Sequence, residues 1–426
     1  MQIGKTKVAL VALDFIGYYQ NGGYYGVDQV KKMLKLELGL TDVIVASTHN
    51  HEGPDTIGLW APANKDGKYA DYLKWVDRRI AEAISKAAEP ANMAEVRARF
   101  GATNPERSPS LKGLQVRTTH RPPFFFDEEL RAMQLTRTNG KVLATLINWN
   151  THPESLESRN QEITSDFPHF VREAVEKKYG GTAVYFSGDI GGVEIIGDAE
   201  SRTGLEYEEI NGKRFPLTAG HRPNVSFERT QTIGEAVATA VFQALDAGSN
   251  ERVDVLTLKS QPVRAPVTNP GFKAMIQAGV LSNYGADKEH PEVNTTIWHL
   301  RVGPADIITL PGEVFPELIY GVEQHKRTDC PAANTGRPYE PAVLPLLKGK
   351  YHFILGLTPD ELGYVVPGYD FSAGPGGARV TDACKDPKVP NHYHETNSSS
   401  DQMAPAITCG FVKLLGGDPA KYEACK

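Results

Sequence analysis

Residues 43–54 read VIVASTHNHEGP, an apolar, β-branched run that ends in two histidines. A second stretch, residues 142–153, reads VLATLINWNTHP and places another histidine after a similar run. Such runs are typical of buried strands, so each stretch predicts a strand that delivers an imidazole to the rim of a sheet. His49 and His51 stand at positions i and i+2 of an extended chain and could face the same cavity. Two such strands can direct imidazoles at one point, which is how proteins hold a divalent metal ion.

The surrounding sequence alternates strand and helix patterns in its first part and becomes strand-rich from about residue 253. Strands are predicted over Val8–Leu13, Val43–Ser47, Ala94–Phe100, Leu130–Arg137, Val142–Asn148, Val184–Phe186, Val253–Leu258, Thr295–Val302 and Asp306–Leu310. Helices are predicted over Asp28–Leu40, Tyr69–Ala87, Phe167–Lys178 and Gln231–Ala247. The order predicts an α/β fold with mixed, partly parallel sheets flanked by helices. We expect one domain over residues 1–426, with an α/β part at about 1–250 and a strand-rich part at about 251–426.

Composition excludes several classes of protein. The 426 residues are 40% hydrophobic and 23% charged, with a net charge of -6, so the chain has a large core and no basic surface for nucleic acid. No apolar run approaches the ~18 residues of a membrane span, and the N-terminus lacks the pattern of a signal peptide. Four cysteines lie in the last quarter: Cys330, Cys384, Cys409 and Cys425. Their even number fits two disulfides and an extracellular or periplasmic protein, with four unrelated buried thiols as the alternative.

Two later stretches add oxygen ligands. Residues 307–313 read IITLPGE, an apolar strand that ends in the carboxylate of Glu313, and Tyr364 lies in the sequence LGYVV. Alone, they are an ordinary strand with a turn and an aromatic residue in a strand. Together with the two histidine stretches they resemble the boxes of the neutral/alkaline (non-lysosomal) ceramidases, which read roughly ATHTHSGPGGY, NWFAVHGTSM, P-(G/S)-E and GL…YI(T/V). Residues 104–109 (NPERSP) and 164–166 (TSD) are similar to the family's NRSP and SSDN, and the order holds from about residue 8 to 410.

The resemblance implies a zinc-dependent hydrolase that cleaves an N-acyl amide bond by attack of a zinc-activated water. The substrate would be a small, lipid-like N-acyl compound, and the enzyme could touch a membrane surface transiently. The implied roles are Zn²⁺ ligation by His49, His152, Glu313 and Tyr364, proton donation by His51 and binding of the substrate oxygen by Arg107. Asp166 would either orient a ligand histidine or cap the helix that follows it. The strand-rich C-terminal part would thus complete the zinc site.

The sequence also departs from the ceramidase pattern. Gly191 stands where the family's GDVSP segment has a serine, which disfavours a serine nucleophile. A Gly/Pro-rich stretch at 366–390, predicted as a long surface loop, replaces the family's EEYxxQxYEGAST segment. His392 and His394 beyond it could be extra ligands, but on a polar loop we expect them to be solvated. The chain stops near the point where the family adds an immunoglobulin-like domain, so we expect none. The alternatives are a zinc-dependent esterase, lactonase or deacylase of a non-sphingolipid substrate, and a non-enzymatic scaffold, which would not need to retain the ligands.

Overall fold

The computed structural model describes residues 1–58, 60–61, 65–111, 114, 116–119, 124–195, 206–218, 225–281, 287–321, 337–371 and 393–426. In this part of the chain, mixed sheets are flanked by helices, which confirms the predicted α/β class with partly parallel sheets. Among the same residues, no helix has the length and apolar character needed to cross a membrane.

The strands are, in chain order, β1 (Gln2–Ile3), β2 (Thr6–Leu13), β3 (Asp42–Ser47), β4 (Val96–Thr103), β5 (Thr118–Thr119), β6 (Leu130–Arg137), β7 (Val142–Asn148), β8 (Thr182–Phe186), β9 (Val193–Glu194), β10 (Tyr207–Ile210), β11 (Lys213–Pro216), β12 (Ser249–Glu251), β13 (Leu256–Pro266), β14 (Glu292–Val302), β15 (Ala305–Thr309), β16 (Glu313–Val314), β17 (Tyr351–Leu355) and β18 (Tyr364–Val365). The α-helices are α1 (Val27–Met33), α2 (Ala70–Ala88), α3 (Phe167–Tyr179), α4 (Phe227–Ala247), α5 (Pro270–Gln277), α6 (Pro316–Tyr320), α7 (Tyr393–Thr396) and α8 (Met403–Leu414).

The first sheet has the order β1-β2-β3, and β2 runs parallel to β3. Helix α2 covers it with an apolar stripe at helical spacing that includes Leu73, Val76 and Ile80. This stripe belongs to the same core cluster as Val43 and Val45 of β3. Because β3 is buried, its C-terminal end leads the following residues into the interior.

The second sheet has the order β12-β4-β6-β7-β8, in which only β7 and β8 pair in parallel. Helices α3 and α4 supply much of the core cluster that packs on β6, β7 and β8. The two helices meet closely at Gly234, where an added Cβ would lie 2.5 Å from the Cβ of Phe170. Glycine in a helix interior is about 1 kcal/mol less favourable than alanine, but here it allows α3 to pack closely on α4.

The third sheet has the order β13-β14-β15-β17, with β15 and β17 parallel. Helix α8 packs on it through Ile407 and Phe411, in one core cluster with Val263 and Ile297. A separate pair, β16 and β18, runs parallel beside this core. It carries the two oxygen-bearing residues that the sequence singled out.

A disulfide joins Cys409 of α8 to Cys425, so one disulfide of the expected kind is present. Cys330 and Cys384 lie outside the described residues, as does the Gly/Pro-rich stretch from residue 372 onward.

Several predicted elements differ by a few residues at their ends, and two differ more than the rest. The helix predicted over Asp28–Leu40 ends at Met33, where Leu34 takes an extended conformation; Leu34 and Leu40 still pack against the core, but Leu36 is 95% exposed. The strand predicted over Val253–Leu258 instead spans Leu256–Pro266 and pairs with β14 along its whole length. Prolines are tolerated in this strand because it lies at the edge of its sheet, where a missing N–H need not be paired.

Candidate metal centre

His49 lies just past the end of β3, on backbone that still pairs with the segment after β2. The N–H groups of Thr48 and Asn50 donate to the carbonyls of Leu13 and Phe15. The φ angle of His49 is 64°, a left-handed conformation that a non-glycine residue keeps only where its surroundings impose it. The chain is therefore not extended at His49, contrary to what the sequence suggested, and the paired residues on either side fix the direction in which the buried imidazole points.

The rings of His49 and His152 are oriented in the same way. The Nδ1 atom of His49 lies 2.6 Å from the carbonyl oxygen of Ile16, and the Nδ1 atom of His152 lies 2.6 Å from that of Val193. A ring that donates from Nδ1 keeps the lone pair of Nε2 for a metal, which is the usual arrangement of ligand histidines. Burial, followed by repulsion from His152, holds the pKa of His49 well below its usual value, so this ring is neutral.

Glu313 brings a carboxylate to the two rings. It follows a tight turn in which Gly312 has a φ of 126° and an added Cβ would lie 2.7 Å from the carbonyl oxygen of Gly363. Its Oε2 atom lies 2.9 Å from Nε2 of His152 and 3.6 Å from Nε2 of His49. Burial is the largest influence on the pKa of His152 and acts to lower it, but the hydrogen bond to Glu313 and the negative charges of Glu154, Glu313 and Glu194 together outweigh it and raise this pKa to about 10.

Tyr364 lies beside Glu313 because β16 and β18 run parallel with these two residues in register. The tyrosine is buried, and its ring packs edge-on against His394 with 4.7 Å between centroids. Burial, together with the charge of Glu313, raises the pKa of the Tyr364 phenol well above its usual value. A cation would be needed to stabilise its phenolate.

The structure thus brings His49, His152 and Glu313 together and places Tyr364 next to them. One ring nitrogen each of His49, His51 and His152 lies within 4.8 Å of the others. Two imidazoles with oxygen donors form a set that suits a divalent ion such as zinc. The residues present therefore fit a metal centre, and the strain at His49 is of the kind that clusters at functional sites.

His51 lies at the edge of this cluster. Its side chain is 34% exposed, whereas that of His152 is 2% exposed. Its Nδ1 atom lies 3.3 Å from Oε2 of Glu154. Burial of most of the ring, followed by repulsion from His152, lowers the pKa of His51 to about 3. Burial also raises the pKa of Glu154 well above its usual value.

Arg107 and Asp166 make contacts of other kinds. Arg107 lies at the surface, with a 74% exposed side chain, and its Nη2 atom is 2.7 Å from Oε2 of Glu128. Asp166 is buried and caps helix α3: its Oδ1 accepts the N–H of Phe167 at 2.6 Å, and its Oδ2 accepts the hydroxyl of Ser155 at 2.9 Å. Asp166 therefore makes the contacts of a helix cap. It does not orient His49 or His152 directly, because the Nδ1 atoms of both rings face backbone carbonyls.

Two carboxyl groups at the centre, Glu154 and Glu361, were not identified from the sequence, and His394 was considered as a ligand but not favoured. His392 lies outside the described residues. His394 was expected to be solvated, but it is 1% exposed and packs between Phe315 and Tyr364, so that prediction was wrong. The available signal was proximity in sequence: Glu154 follows His152 by two positions, and Glu361 precedes Tyr364 by three.

Comparison with solved structures places the fold among the neutral ceramidases. A neutral ceramidase from Pseudomonas aeruginosa superposes with a TM-score of 0.58 and 14% identity over 95% of this chain. A ceramidase complexed with C2 gives a TM-score of 0.56 and 13% identity over 93% of this chain. In both cases the match covers 66% of the other chain, so this chain spans just under two thirds of their length. No protein-family model and no curated protein sequence matches it.

Proposed function

We propose that this protein is a zinc-dependent hydrolase that cleaves an N-acyl amide bond in a lipid-like substrate. The observation that carries the proposal is the buried meeting of His49, His152 and Glu313, with both ring Nδ1 atoms held by backbone carbonyls, in a ceramidase-like fold. Tyr364 would be the fourth ligand. These ligands come from both the α/β and the strand-rich parts, which supports a single catalytic domain.

A bound Zn²⁺ would supply Lewis acidity that activates water near neutral pH and polarises an acyl carbonyl. His51 reaches solvent beside the buried rings, and its low pKa leaves the ring neutral, so it is placed to take a proton from the attacking water and then deliver it to the departing nitrogen. Glu154 contacts the Nδ1 side of His51 and would hold that ring for the transfer. To bind the substrate oxygen, Arg107 would have to leave its ion pair with Glu128. Asp166 would act indirectly, by fixing Ser155 three residues after His152.

A second candidate function keeps the zinc centre and changes the substrate to an ester, a lactone or a polar N-acyl compound. Glu154 favours it, because this buried carboxyl stands where the ceramidase box NWFAVHGTSM has a threonine. A carboxyl group at the edge of the site accepts hydrogen bonds from polar substrates better than it packs on an acyl chain.

Two further proposals concern the place where the protein works. We propose that the protein works outside the cytosol, because the Cys409–Cys425 disulfide is typical of oxidising compartments. We also propose that contact with a membrane surface is transient and serves to reach the substrate.

The decisive experiment measures bound zinc and hydrolysis together. The wild type should hold about one zinc per chain and cleave members of a panel of N-acylsphingosines, N-acyl amino acids and acyl esters. His152→Ala should lose both the metal and the activity. His290→Ala is the matched control, because this histidine is exposed and pairs only with Asp287 among the described residues. Absence of zinc from folded wild type would refute the enzyme class, and activity on esters alone would refute the amidase.

A further inference from the structure

Glu361 is a buried carboxyl group at the centre that the resemblance does not assign. It lies in the turn between β17 and β18 and is 5% exposed. Its Oε1 atom accepts the N–H of Gly363 at 2.9 Å. Its Oε2 atom is buried and has no hydrogen-bond partner among the described residues.

The position of this carboxyl group points to a cation. One of its oxygens lies within 4.8 Å of both a ring nitrogen of His49 and a carboxylate oxygen of Glu313. Two carboxyl groups buried this near to each other destabilise the folded protein unless a positive charge or a proton lies between them. A divalent ion held by His49 and Glu313 would lie within reach of Glu361 and satisfy its orphaned oxygen.

The fold holds Glu361 against the same segment that orients His49. Gly17 follows Ile16, whose carbonyl faces Nδ1 of His49, and an added Cβ at Gly17 would lie 2.4 Å from the Cβ of Glu361. The N–H of Glu361 donates to the carbonyl of Tyr18 at 3.2 Å. The absence of a side chain at Gly17 therefore lets the carboxyl stem approach the ligand histidine.

We propose that Glu361 is a further ligand of the divalent ion, bound through its free Oε2 atom. This inference rests on the proposed metal-dependent function. The donor set then contains two imidazoles and three oxygens, from Glu313, Glu361 and Tyr364. Three anionic oxygens bind a dication more tightly than two, and five protein donors favour a coordination number above four.

The test compares Glu361→Gln with Glu340→Gln in the full chain. Glu340 is a matched control, since it is buried, accepts the N–H of Gly368 through Oε1 at 2.8 Å and leaves Oε2 without a partner among the described residues. Zn²⁺ affinity is measured by competition with a chelator, and coordination by the visible absorption of the Co²⁺-loaded protein.

Glu361→Gln should weaken Zn²⁺ binding more than about 100-fold, beyond the 10–100-fold loss typical of residues outside the ligand shell. Its Co²⁺ bands should intensify, because lower coordination gives stronger d–d absorption. Glu361→Asp, which keeps the charge but shortens the stem, should also lose affinity. Glu340→Gln should match the wild type, and unfolding curves of each metal-free variant show whether it is folded.

A loss of 100-fold or less in Glu361→Gln with an unchanged Co²⁺ spectrum overturns the assignment of Glu361. If at the same time the wild type binds one ion that His152→Ala loses, the proposed function survives. If folded wild type binds no Zn²⁺ or Co²⁺, both proposals fail.

Discussion

Replacing Gly191 with alanine or serine tests how tightly the turn after β8 is packed against the metal centre. An added Cβ at Gly191 would lie 2.6 Å from the backbone nitrogen of Phe315 and 2.7 Å from the carbonyl oxygen of Glu313. Real Cβ atoms essentially never come closer than 3.0 Å to such atoms, ordinary contacts begin near 3.4 Å, and backbone atoms cannot rotate away as side chains can. Either the turn or β16 must therefore move.

The cost can be worked from these contacts. Overpacking in a dense region costs about 1–3 kcal/mol, and the N–H of Gly191 would lose its 3.0 Å bond to the carbonyl of Val314, worth about 1 kcal/mol. The free energy of unfolding of Gly191→Ala should therefore fall by about 2–4 kcal/mol. Lengthening a contact from 2.6 Å to 3.4 Å also exceeds the roughly 0.5 Å tolerance of a metal site, so we expect at least about tenfold weaker Zn²⁺ binding.

Urea denaturation of the metal-free protein and chelator competition measure the two effects. Gly271→Ala is the control, because an added Cβ there meets only Asn269 Oδ1, at 3.2 Å, among the described residues. It should be neutral or stabilising by up to about 1 kcal/mol, since alanine is the better helix former. Gly191→Ala with wild-type stability and wild-type affinity would refute the reasoning. The same contacts explain why a serine could not be accommodated at this position without rearrangement.

If the Arg107 guanidinium binds the substrate oxygen, Arg107→Ala should lower kcat/KM by about 10²–10³-fold. Its urea unfolding curve should match that of the wild type, because the side chain is 74% exposed. Wild-type kinetics in the variant would exclude that role. Burial acts to raise the pKa of Asp306, but hydrogen bonds, of which the one from His299 is the strongest, outweigh burial and hold this pKa well below its usual value. The ionised Asp306 therefore stabilises the fold at every pH above its unfolded pKa of about 3.9, and this stabilisation is lost as the pH falls through the lower folded pKa. Asp306→Asn should lower the free energy of unfolding by about 2 kcal/mol at pH 7. In urea denaturation curves, the difference in stability between the variant and the wild type should shrink below pH ~4. Cys409→Ser with Cys425→Ser opens a loop of sequence separation 16 and should remove about 3 kcal/mol, measured by urea unfolding; an unchanged midpoint would show that the loop is constrained without the bond.

The residues of the centre that follow a strand were predictable from the sequence, because the apolar run that predicts each strand lies directly before them. His49 and His152 each follow an apolar run, and the burial of β3 and β7 alone carries them inward. Glu313 follows the same rule after β15 and a short turn. A pattern of strands that end in ligand-type residues therefore indicates a shared edge before any contact is known.

The other members could not be derived in this way, because their burial depends on distant contacts. Glu361 and Glu154 stand in polar turns, where a carboxyl group is ordinarily solvated, and only packing against Gly17 or His51 distinguishes them. Asp166 looked equally suited to two roles, since a helix cap and a ligand partner require the same carboxylate. Leu36 shows the converse, since it is an apolar residue at helical spacing that no neighbouring element covers.

The proposed ligands of the metal ion span positions 49 to 364 of the chain. A ribosome that adds about 5–20 residues per second separates the emergence of the first histidine from that of the tyrosine by tens of seconds. Throughout that interval the nascent chain presents isolated histidines that can bind an ion only loosely. Capture of the proposed metal ion therefore has to wait until most of the chain has been made.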